Sequence, residues 1–404
     1  MPSPEYVATV LRVLVHLGRS LSFQSMAGCP CEAVTSHAGT GDPRCQPPLD
    51  PSRNRGDLLV RALRYHGRGD VRLDHIPEPL PGPEDVKIEV SWSGLCGSDL
   101  HEYRHGPAAI RTQEHPHPLT GSTLPVVLGH EFSGTIVEIG REVHGHTVGD
   151  RVTVEPLLRD GDCLQCQYGR YNLCQHLAFI GLNADGGGMA EESVVPASSV
   201  HTVSEDISTE AAALVEPCAV AWHAIDRVQL TEVDDVLVLG AGPVGLAILL
   251  CLKHRGIGRV IVSEPSARRR EAALALGADR AVDPASSNVV REAKGVRAAF
   301  DCAGHPDAIA AGVSALGPGG VLVLVAQPPE RIAVAARRLV HLEVMVTGSI
   351  AYANTFPSVL EAMRKGMDPT GMISSRLGLS DAVASMGALS RAQDELKVLV
   401  DPRR

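Results

Sequence analysis

Apolar residues follow two different rhythms along the chain. Between residues 60 and 207, stretches with alternating apolar positions, such as DVKIEV and GDRVTV, are separated by Pro and Gly. This pattern predicts a mainly β domain of short strands and turns. Between residues 208 and 349, six short apolar runs alternate with helical patterns. Such alternation predicts an α/β domain with a doubly wound parallel sheet.

The segments before and after these two domains have their own patterns. Residues 1–59 are rich in Pro, Ser and Gly without apolar periodicity, so we expect a disordered extension or a start site assigned too far upstream. A transit peptide, or a redox or metal site at Cys29 and Cys31, is the alternative. Residues 350–404 contain helical patterns and a final apolar run, and we expect them to complete the 60–207 domain.

Composition restricts the class of function. The 404 residues carry a formal net charge of −10 without a dense Lys/Arg block, and aromatic residues make up only 3%. Both features argue against nucleic-acid binding. The longest apolar stretch, Val244–Leu252, is far shorter than the ~18 residues of a membrane span, so we expect no membrane partner. Because the N-terminus has no convincing signal peptide, we expect a cytoplasmic enzyme.

A glycine-rich motif marks a dinucleotide site. The motif GAGPVG at residues 240–245 follows the apolar run VLVL and precedes a helical pattern, which is the context that it requires. Gly240 allows the tight turn, Gly242 lets backbone N–H groups approach a pyrophosphate, and Gly245 permits close helix–strand packing. Pro243 and Val244 begin the helix whose N-terminus attracts the phosphates.

The residue that selects the cofactor follows about twenty residues later. Glu264 ends the second apolar run, where an acidic side chain is expected to hydrogen-bond the ribose hydroxyls. Its carboxylate would repel a 2′-phosphate, so the sequence favours NAD over NADP. Arg268 and Arg269 keep NADP open, because arginine is a good partner for phosphate. Arg269 is therefore included among the cofactor-binding candidates.

Residues at three distant points of the chain form a candidate metal site. Cys96 lies in GLCGSD, His130 in LGHEF and Glu216 in LVEPC. Each of them alone is more often structural than a metal ligand. Together they offer the donors of a tetrahedral zinc ion with one open position. Beside a nicotinamide ring, such an ion would polarise an alcohol or a carbonyl group.

A second candidate metal site is a cluster of cysteines. Cys163, Cys166 and Cys174 lie within twelve residues. In a chain of this length without a clear signal peptide, such crowding favours metal binding over disulfide bonds.

These motifs, in this order, resemble the zinc-dependent medium-chain dehydrogenase/reductase family over roughly residues 60–404. The resemblance implies a Rossmann domain beside a mainly β, GroES-like catalytic domain. It also implies that Cys96, His130 and Glu216 hold a catalytic zinc ion, with Glu131 as a fourth or alternating ligand. Glu131 is for this reason also a catalytic candidate.

The resemblance assigns roles to three residues that follow Cys96. Ser98 and His101 match the proton relay that connects the alcohol to solvent in this family. Asp99 matches an acid that orients the ligating histidine, here His130. A non-catalytic relative that binds the nucleotide as a sensor or scaffold is the alternative, and the presence of the complete set argues against it.

The cysteine cluster departs from the family pattern at one position. The family holds a structural zinc ion with four cysteines spaced by two, two and seven residues, and the first of these positions is Asp160 here. Zinc accepts carboxylate ligands, although closed structural sites favour thiolates. Either Asp160 joins Cys163, Cys166 and Cys174 around a second zinc ion, or the site is empty or weakened.

Within the family, the chain most resembles the (R,R)-2,3-butanediol dehydrogenases, in stretches such as CGSDLHEY and ADGGGMAE. This resemblance implies reversible, NAD-linked oxidation of a secondary alcohol in a vicinal diol, with 2,3-butanediol and acetoin as substrate and product. A sorbitol/xylitol-type polyol dehydrogenase is the alternative. The small-molecule partner is therefore a diol or hydroxyketone, and the family implies a homo-oligomer, either a dimer or a tetramer.

Overall fold

The computed structural model describes residues 58–327, 331–392 and 394–404. The expected extension, with Cys29 and Cys31, lies outside the described residues except for its last two positions. The last of these, Leu59, is the first residue of a β-strand, so strand structure begins one residue earlier than expected.

The mainly β part of the chain contains strands from both ends of the sequence. These strands are β1 (Leu59–Gly67), β2 (Asp70–Pro77), β3 (Asp85–Leu95), β4 (Val126–Val127), β5 (Phe132–Ile139), β6 (Arg151–Val154), β7 (Leu157–Leu158), β8 (Ala178–Phe179), β9 (Glu192–Pro196), β10 (Val200–Thr202), β17 (Ile373–Gly378) and β18 (Lys397–Asp401). They form a three-stranded sheet in the order β2-β1-β4, a hairpin of β7 and β8, and a seven-stranded sheet. The order in the large sheet is β10-β6-β5-β3-β18-β17, and β9 also pairs with β3.

The second part is a six-stranded parallel sheet. Its strands are β11 (Val236–Leu239), β12 (Val260–Ser263), β13 (Arg280–Val282), β14 (Val296–Asp301), β15 (Leu316–Leu324) and β16 (Met345–Gly348). Their order is β13-β12-β11-β14-β15-β16, so the chain progresses in opposite directions from β11 and from β14. Ligands bind at such a switch point in doubly wound sheets. The predicted doubly wound sheet beside a mainly β domain is confirmed.

Helices cover both faces of the parallel sheet and connect the two parts. In chain order they are α1 (Gly97–His105), α2 (Leu164–Gln167), α3 (Thr209–Ala213), α4 (Val215–Asp226), α5 (Pro243–His254), α6 (Ala267–Ala275), α7 (Val289–Glu292), α8 (Pro306–Ala315), α9 (Ala336–His341), α10 (Phe356–Arg364) and α11 (Leu379–Leu389). Among the described residues, no helix is both long enough and apolar enough to cross a membrane.

The alternation of side chains along β11 explains why the parallel sheet is buried on both faces. Val236 and Val238 pack in one apolar cluster with α4 and α5. Leu237 and Leu239 point to the opposite face and pack in a second cluster with α8. Because every position of β11 is buried, its sequence is an uninterrupted apolar run, as expected for a central parallel strand.

Candidate active site

Three of the predicted ligands meet at one end of the large antiparallel sheet. Strands β3 and β5 pair so that Ser93 lies opposite Phe132. Cys96 comes shortly after β3, while His130 and Glu131 come directly before β5, so the pairing brings them to the same edge. The Cys96 sulfur, a His130 ring nitrogen and a Glu131 carboxylate oxygen lie within 4.8 Å of one another.

Glu216, the third ligand that the resemblance implies, does not join this group of atoms. It lies in the first turn of α4 and is only 5% exposed. Burial and the neighbouring charge of Glu131 raise the pKa of Glu216 from 4.5 to about 7. The structure therefore gathers Cys96, His130 and Glu131, with the Glu216 carboxyl close enough to interact electrostatically with Glu131.

A lysine near the C-terminal end of the chain lies beside these acidic side chains. Lys397, the first residue of β18, is 1% exposed and forms an ion pair with Glu131. Its Nζ also donates a hydrogen bond to the Leu95 carbonyl oxygen at 3.1 Å. Strand β18 pairs directly with β3, with Val398 opposite Leu95, and this pairing places the lysine beside the site.

The site is rich in negative charge, which suits a divalent cation. Burial and then the Glu131 charge raise the pKa of the Cys96 thiol, and Glu216 and Asp99 act on it in the same direction. Lys397 opposes this effect. A bound cation would stabilise the thiolate and both carboxylates at once. One sulfur, one imidazole nitrogen and carboxylate oxygens are a donor set that zinc accepts, so these residues fit the metal.

Asp99 and Ser98 lie on opposite sides of the His130 ring. His130 Nδ1 is 3.6 Å from Asp99 Oδ1, and His130 Nε2 is 3.2 Å from Ser98 Oγ. Asp99 is fully buried, and its Oδ2 accepts a hydrogen bond from the Cys96 backbone N–H at 2.9 Å. Asp99 therefore links the backbone of one predicted ligand to the ring of another.

His101 lies one turn after Ser98 on α1 and is exposed, with its ring centroid 5.1 Å from that of His105. Ser98 is half-buried beside His130, so the two predicted relay residues lie at an inner and an outer position of the same helix.

The glycine-rich turn joins β11 to α5 at the switch point of the parallel sheet. Gly240 has a φ of +93°, a conformation that favours glycine. A Cβ at position 245 would overlap the Gly240 carbonyl oxygen, so the helix packs directly on the turn. Pro243 is the first residue of α5 and Val244 the second, with Gly242 at the N-cap. This local structure is the one that the motif predicted.

A cavity of about 710 Å³ opens beside this turn and includes Gly240, Gly242, Glu264 and Arg269 in its lining. Glu264 is 4% exposed and accepts hydrogen bonds from two backbone N–H groups, those of Ala241 at 2.7 Å and Ser266 at 2.9 Å. Each carboxylate oxygen can accept a further bond. Glu264 is thus fixed at the rim of the turn and still able to bind ribose hydroxyls.

Arg269 lies on the same side of the cavity. Its guanidinium group donates hydrogen bonds to the Glu395 carbonyl oxygen at 2.8 and 3.2 Å. A Cβ at position 242 would lie 3.9 Å from one of its terminal nitrogens. The arginine is therefore held close to the part of the turn that approaches phosphate.

The four residues of the second predicted metal site also come together. One oxygen of Asp160 and the sulfur atoms of Cys163, Cys166 and Cys174 lie within 4.8 Å of one another. The Cys174 sulfur accepts backbone hydrogen bonds from Asp160 and His176, each at 3.4 Å. The hydrogen bond from the Cys163 backbone holds the pKa of Asp160 below its usual range. Three sulfurs and an ionised carboxylate are suitable donors for zinc. We call these four residues and His176 the cysteine lobe.

Two residues of these sites were missed by sequence reasoning. Lys397 had a weak signal, because a lysine interrupts the apolar run of a predicted strand and β-strand interiors rarely bury a charge. His176 follows Cys174 by two residues, and its spacing alone did not distinguish it from a surface histidine. Lys397 and His176 act through contacts that form only when the chain folds, so the sequence around each of them does not reveal its role.

Two family models match the chain. Residues 82–205 match the alcohol dehydrogenase GroES-like domain, and residues 243–365 match the zinc-binding dehydrogenase domain. The first match contains the strands around the metal site, and the second contains the glycine-rich helix and most of the parallel sheet.

Characterised relatives extend over the same region. The chain is 37% identical over 351 residues to (R,R)-butanediol dehydrogenase of Bacillus subtilis, covering 85% of this chain and 100% of that enzyme. It is 31% identical over 354 residues to sorbitol dehydrogenase of Bacillus subtilis, covering 85% and 98% of the two chains. The crystal structure of 2R,3R-butanediol dehydrogenase from Bacillus subtilis superposes with a TM-score of 0.80 at 37% identity, covering 85% of this chain and 99% of that one.

Of these two enzymes, the butanediol dehydrogenase is the more similar, and the alignments cover 100% of it and 98% of the sorbitol dehydrogenase. Together with the geometry of the site, these matches confirm the family expected from the sequence: the chain belongs to the zinc-dependent medium-chain dehydrogenases/reductases.

Proposed function

We propose that the protein catalyses the reversible, NAD-linked oxidation of a secondary alcohol in a vicinal diol, with 2,3-butanediol and acetoin as the substrate pair. The similarity at 37% identity to a butanediol dehydrogenase over that enzyme's whole length carries this proposal. The arrangement of Cys96, His130 and Glu131 within 4.8 Å supports it, because these residues supply the ligands that a zinc alcohol dehydrogenase needs.

Cys96, His130 and Glu131 would hold the catalytic zinc ion in the observed arrangement, and Glu216 is the further ligand that the family implies. Zinc supplies a Lewis acid that makes an alcohol easier to deprotonate near neutral pH. Ser98 lies beside the His130 ring, where its hydroxyl would accept the substrate proton while releasing its own proton, and exposed His101 would pass that proton to solvent. Asp99 Oδ1 faces His130 Nδ1 at 3.6 Å, and a small approach of the two atoms would let this carboxylate orient the ring.

NAD is the proposed cofactor. Glu264 is fixed at the rim of the glycine-rich turn by two backbone hydrogen bonds, and it lines the cavity. A 2′-phosphate in this position would meet a buried negative charge, whereas the two ribose hydroxyls of NAD can donate hydrogen bonds to it. Arg269 is held by Glu395 beside Gly242, where it would neutralise the pyrophosphate.

A sorbitol/xylitol-type polyol dehydrogenase remains the second candidate, because sorbitol dehydrogenase of Bacillus subtilis is 31% identical over nearly its full length. Both reactions use the same ligand set, so the metal site does not distinguish them. The preference for one substrate over the other is set by the side chains of the surrounding pocket and not by the metal ligands.

A substrate panel tests the proposed function. Purified protein is assayed with stereoisomers of 2,3-butanediol, with sorbitol and with xylitol, each with NAD⁺ and with NADP⁺, and the products are separated on a chiral column. We expect the highest kcat/KM for a 2,3-butanediol isomer with NAD⁺. Faster turnover of sorbitol would replace the proposal with the polyol reaction.

A ligand variant tests the chemistry. Cys96→Ser removes the thiolate from the site, and we expect loss of turnover together with loss of one zinc ion per chain while circular dichroism stays unchanged. Cys251→Ser is the matched control, because this cysteine lies on α5 outside both metal sites and the lining of the cofactor cavity, and its side chain already donates to the Cys218 carbonyl oxygen. Equal activity of Cys96→Ser and the native protein would exclude the zinc mechanism.

The cysteine lobe is proposed to hold a second zinc ion, with Asp160 as the fourth ligand. The four donor atoms are already gathered, and backbone N–H groups of Asp160 and His176 point at the Cys174 sulfur. The alternative, an empty or weakened lobe, is distinguished by the metal content of the purified protein.

We further propose that the chain forms a homodimer through the edge of its parallel sheet. Strand β16 is the last strand of that sheet, and Met345 is 58% exposed on it. Ile350 and Val340 on either side are 54% and 75% exposed. Within the described part of the chain no strand pairs with the outer edge of β16, and an open edge flanked by exposed apolar side chains is suited to pairing with a second copy. The cytoplasmic location stays a prediction.

A further inference from the structure

The carboxylate of Asp160 is held by more partners than a lone metal ligand needs. Its Oδ1 accepts hydrogen bonds from the backbone N–H groups of Asp162 and Cys163, each at 3.1 Å. Its Oδ2 is 3.0 Å from Nδ1 of His176. Both oxygens are therefore oriented by the surrounding chain, and one of these contacts is made by a side chain.

His176 is itself fixed by the cysteine lobe. Its backbone N–H donates a hydrogen bond to the Cys174 sulfur at 3.4 Å, so its position along the chain is tied to a predicted ligand. Its side chain is 42% exposed, whereas that of Asp160 is 14% exposed. The imidazole thus covers the carboxylate and shields it from solvent.

We propose that His176 is a positioning residue that makes Asp160 a competent fourth ligand of the cysteine lobe. This inference rests on the proposed second zinc ion. A cysteine offers one donor atom, but an aspartate offers two oxygens and one more rotatable bond, so it must be oriented before it can replace a thiolate. The hydrogen bond from Nδ1 fixes Oδ2, and the ring opposes rotation of the carboxylate away from the three sulfurs.

The magnitude of such an effect is known for other metal sites. Hydrogen-bond partners of metal ligands change metal affinity by about 10–100-fold when they are removed. A cysteine at position 160 would not need this support, because its single sulfur has no second oxygen to orient. His176 should therefore matter only while position 160 is an aspartate.

The test measures metal affinity in the full-length protein. Cobalt(II) replaces zinc, and the thiolate-to-cobalt absorption reports mainly the lobe, because three of its ligands are cysteines and the catalytic site has one. Zinc is then titrated against the bound cobalt in native protein, His176→Ala, Asp160→Cys and the double variant. His176→Asn serves as the conservative variant, since its amide can donate the same hydrogen bond.

We expect His176→Ala to weaken zinc binding at the lobe by about 10–100-fold, with substantial recovery in His176→Asn. In the Asp160→Cys background, removal of His176 should change the affinity by less than about threefold. His115→Ala removes an exposed histidine outside the lobe and should leave the affinity unchanged.

Three results would overturn the inference: native affinity in His176→Ala, an equal loss in the Asp160→Cys background, or a native protein whose lobe takes up no metal. None of these depends on alcohol turnover. If the lobe binds zinc as expected but no diol is oxidised, the proposed function fails while the role of His176 stands.

Discussion

Lys397 places a positive charge among buried acids, and its contribution can be measured at the scale of a single residue. The ion pair with Glu131 is almost completely removed from solvent, with side chains that are 1% and 2% exposed. Removing one partner of a buried pair leaves the other charge without compensation, which costs far more than the loss of an exposed pair.

We expect Lys397→Met to lower the free energy of unfolding by about 3–5 kcal/mol, measured by urea denaturation of the zinc-free protein, in which no metal ion compensates the Glu131 carboxylate. Glu131→Gln in the same chain should recover part of this loss, because it removes the unpaired carboxylate.

An exposed pair provides the control for this measurement. Arg403 and Glu89 lie 2.7 Å apart with both side chains 47% exposed. Arg403→Met should therefore cost less than about 1 kcal/mol. If Arg403→Met and Lys397→Met lowered the free energy of unfolding by similar amounts, burial of the Glu131–Lys397 pair would not increase its contribution to stability.

At the scale of elements, helix α4 and the segment between Cys166 and Cys174 meet through a histidine. Asn172 lies 3.3 Å from His223 on α4, with its amide positioned to donate to the ring nitrogen Nε2. Burial, and then the nearby Arg227, lower the pKa of His223 below its ordinary value of 6.5. The neutral ring is the form that can accept this hydrogen bond.

This contact predicts a loss of stability in acid. Because the pKa of His223 is lower in the folded protein, the unfolded chain binds more protons as the pH falls below 6.5, and folding loses free energy in that range. We expect the difference in unfolding free energy between about pH 7.5 and about pH 5.5 to be smaller in His223→Gln than in the native protein.

The exposed His144 is the matched position, and His144→Gln should leave the pH dependence unchanged. If the unfolding free energy of His223→Gln fell by as much between these two pH values as that of the native protein, the loss of stability in acid would come from other groups.

The sequence predicted strands and turns well where a local pattern of residues determines them. The apolar run at 236–240 became β11, and the glycine motif after it became a turn of the expected geometry. Strand β15 shows the limit, because it begins at Leu316 and includes a Gly-Pro-Gly-Gly segment that reads as a turn. Leu316 pairs with Val296 of β14, and the register then jumps to Val321 opposite Ala298, so the turn-like segment forms an irregularity between two paired parts. The sequence pattern predicted the second paired part and missed the isolated pairing of Leu316.

In the two predicted metal sites, too, the sequence indicated contacts between neighbouring residues better than contacts between distant ones. Cys163, Cys166 and Cys174 lie close in sequence, so their spacing was enough to anticipate a cluster, whereas Asp160 was expected there only from the resemblance to the family. Glu131 and Glu216 were both expected as ligands from the resemblance, and the structure places Glu131 within 4.8 Å of Cys96 and His130. The ion pair of Glu131 with Lys397 was not predicted, because Lys397 comes from the far end of the chain.

At the scale of the whole molecule, the unpaired edge at β16 predicts how copies associate. We expect the native protein to have twice the chain mass in multi-angle light scattering. Met345→Lys combined with Ile350→Lys should give a monomer, because the new charges would face each other across the interface.

Val233 provides the control for this variant, since it is 89% exposed and lies outside the edge strand. Val233→Lys should leave the mass unchanged. A native mass equal to one chain, or a double variant that still pairs, would contradict the proposed interface.

The return of β18 to the first sheet also sets the timing of assembly during translation. Leu95 and Lys397 are 302 positions apart. At the usual ~5–20 residues per second, a ribosome needs ~15–60 s to cover that distance. Throughout this interval the nascent catalytic sheet lacks the strand next to β3 and the cation that neutralises Glu131. A premature stop codon shortly before position 397 would therefore disable a centre whose ligands were made long before.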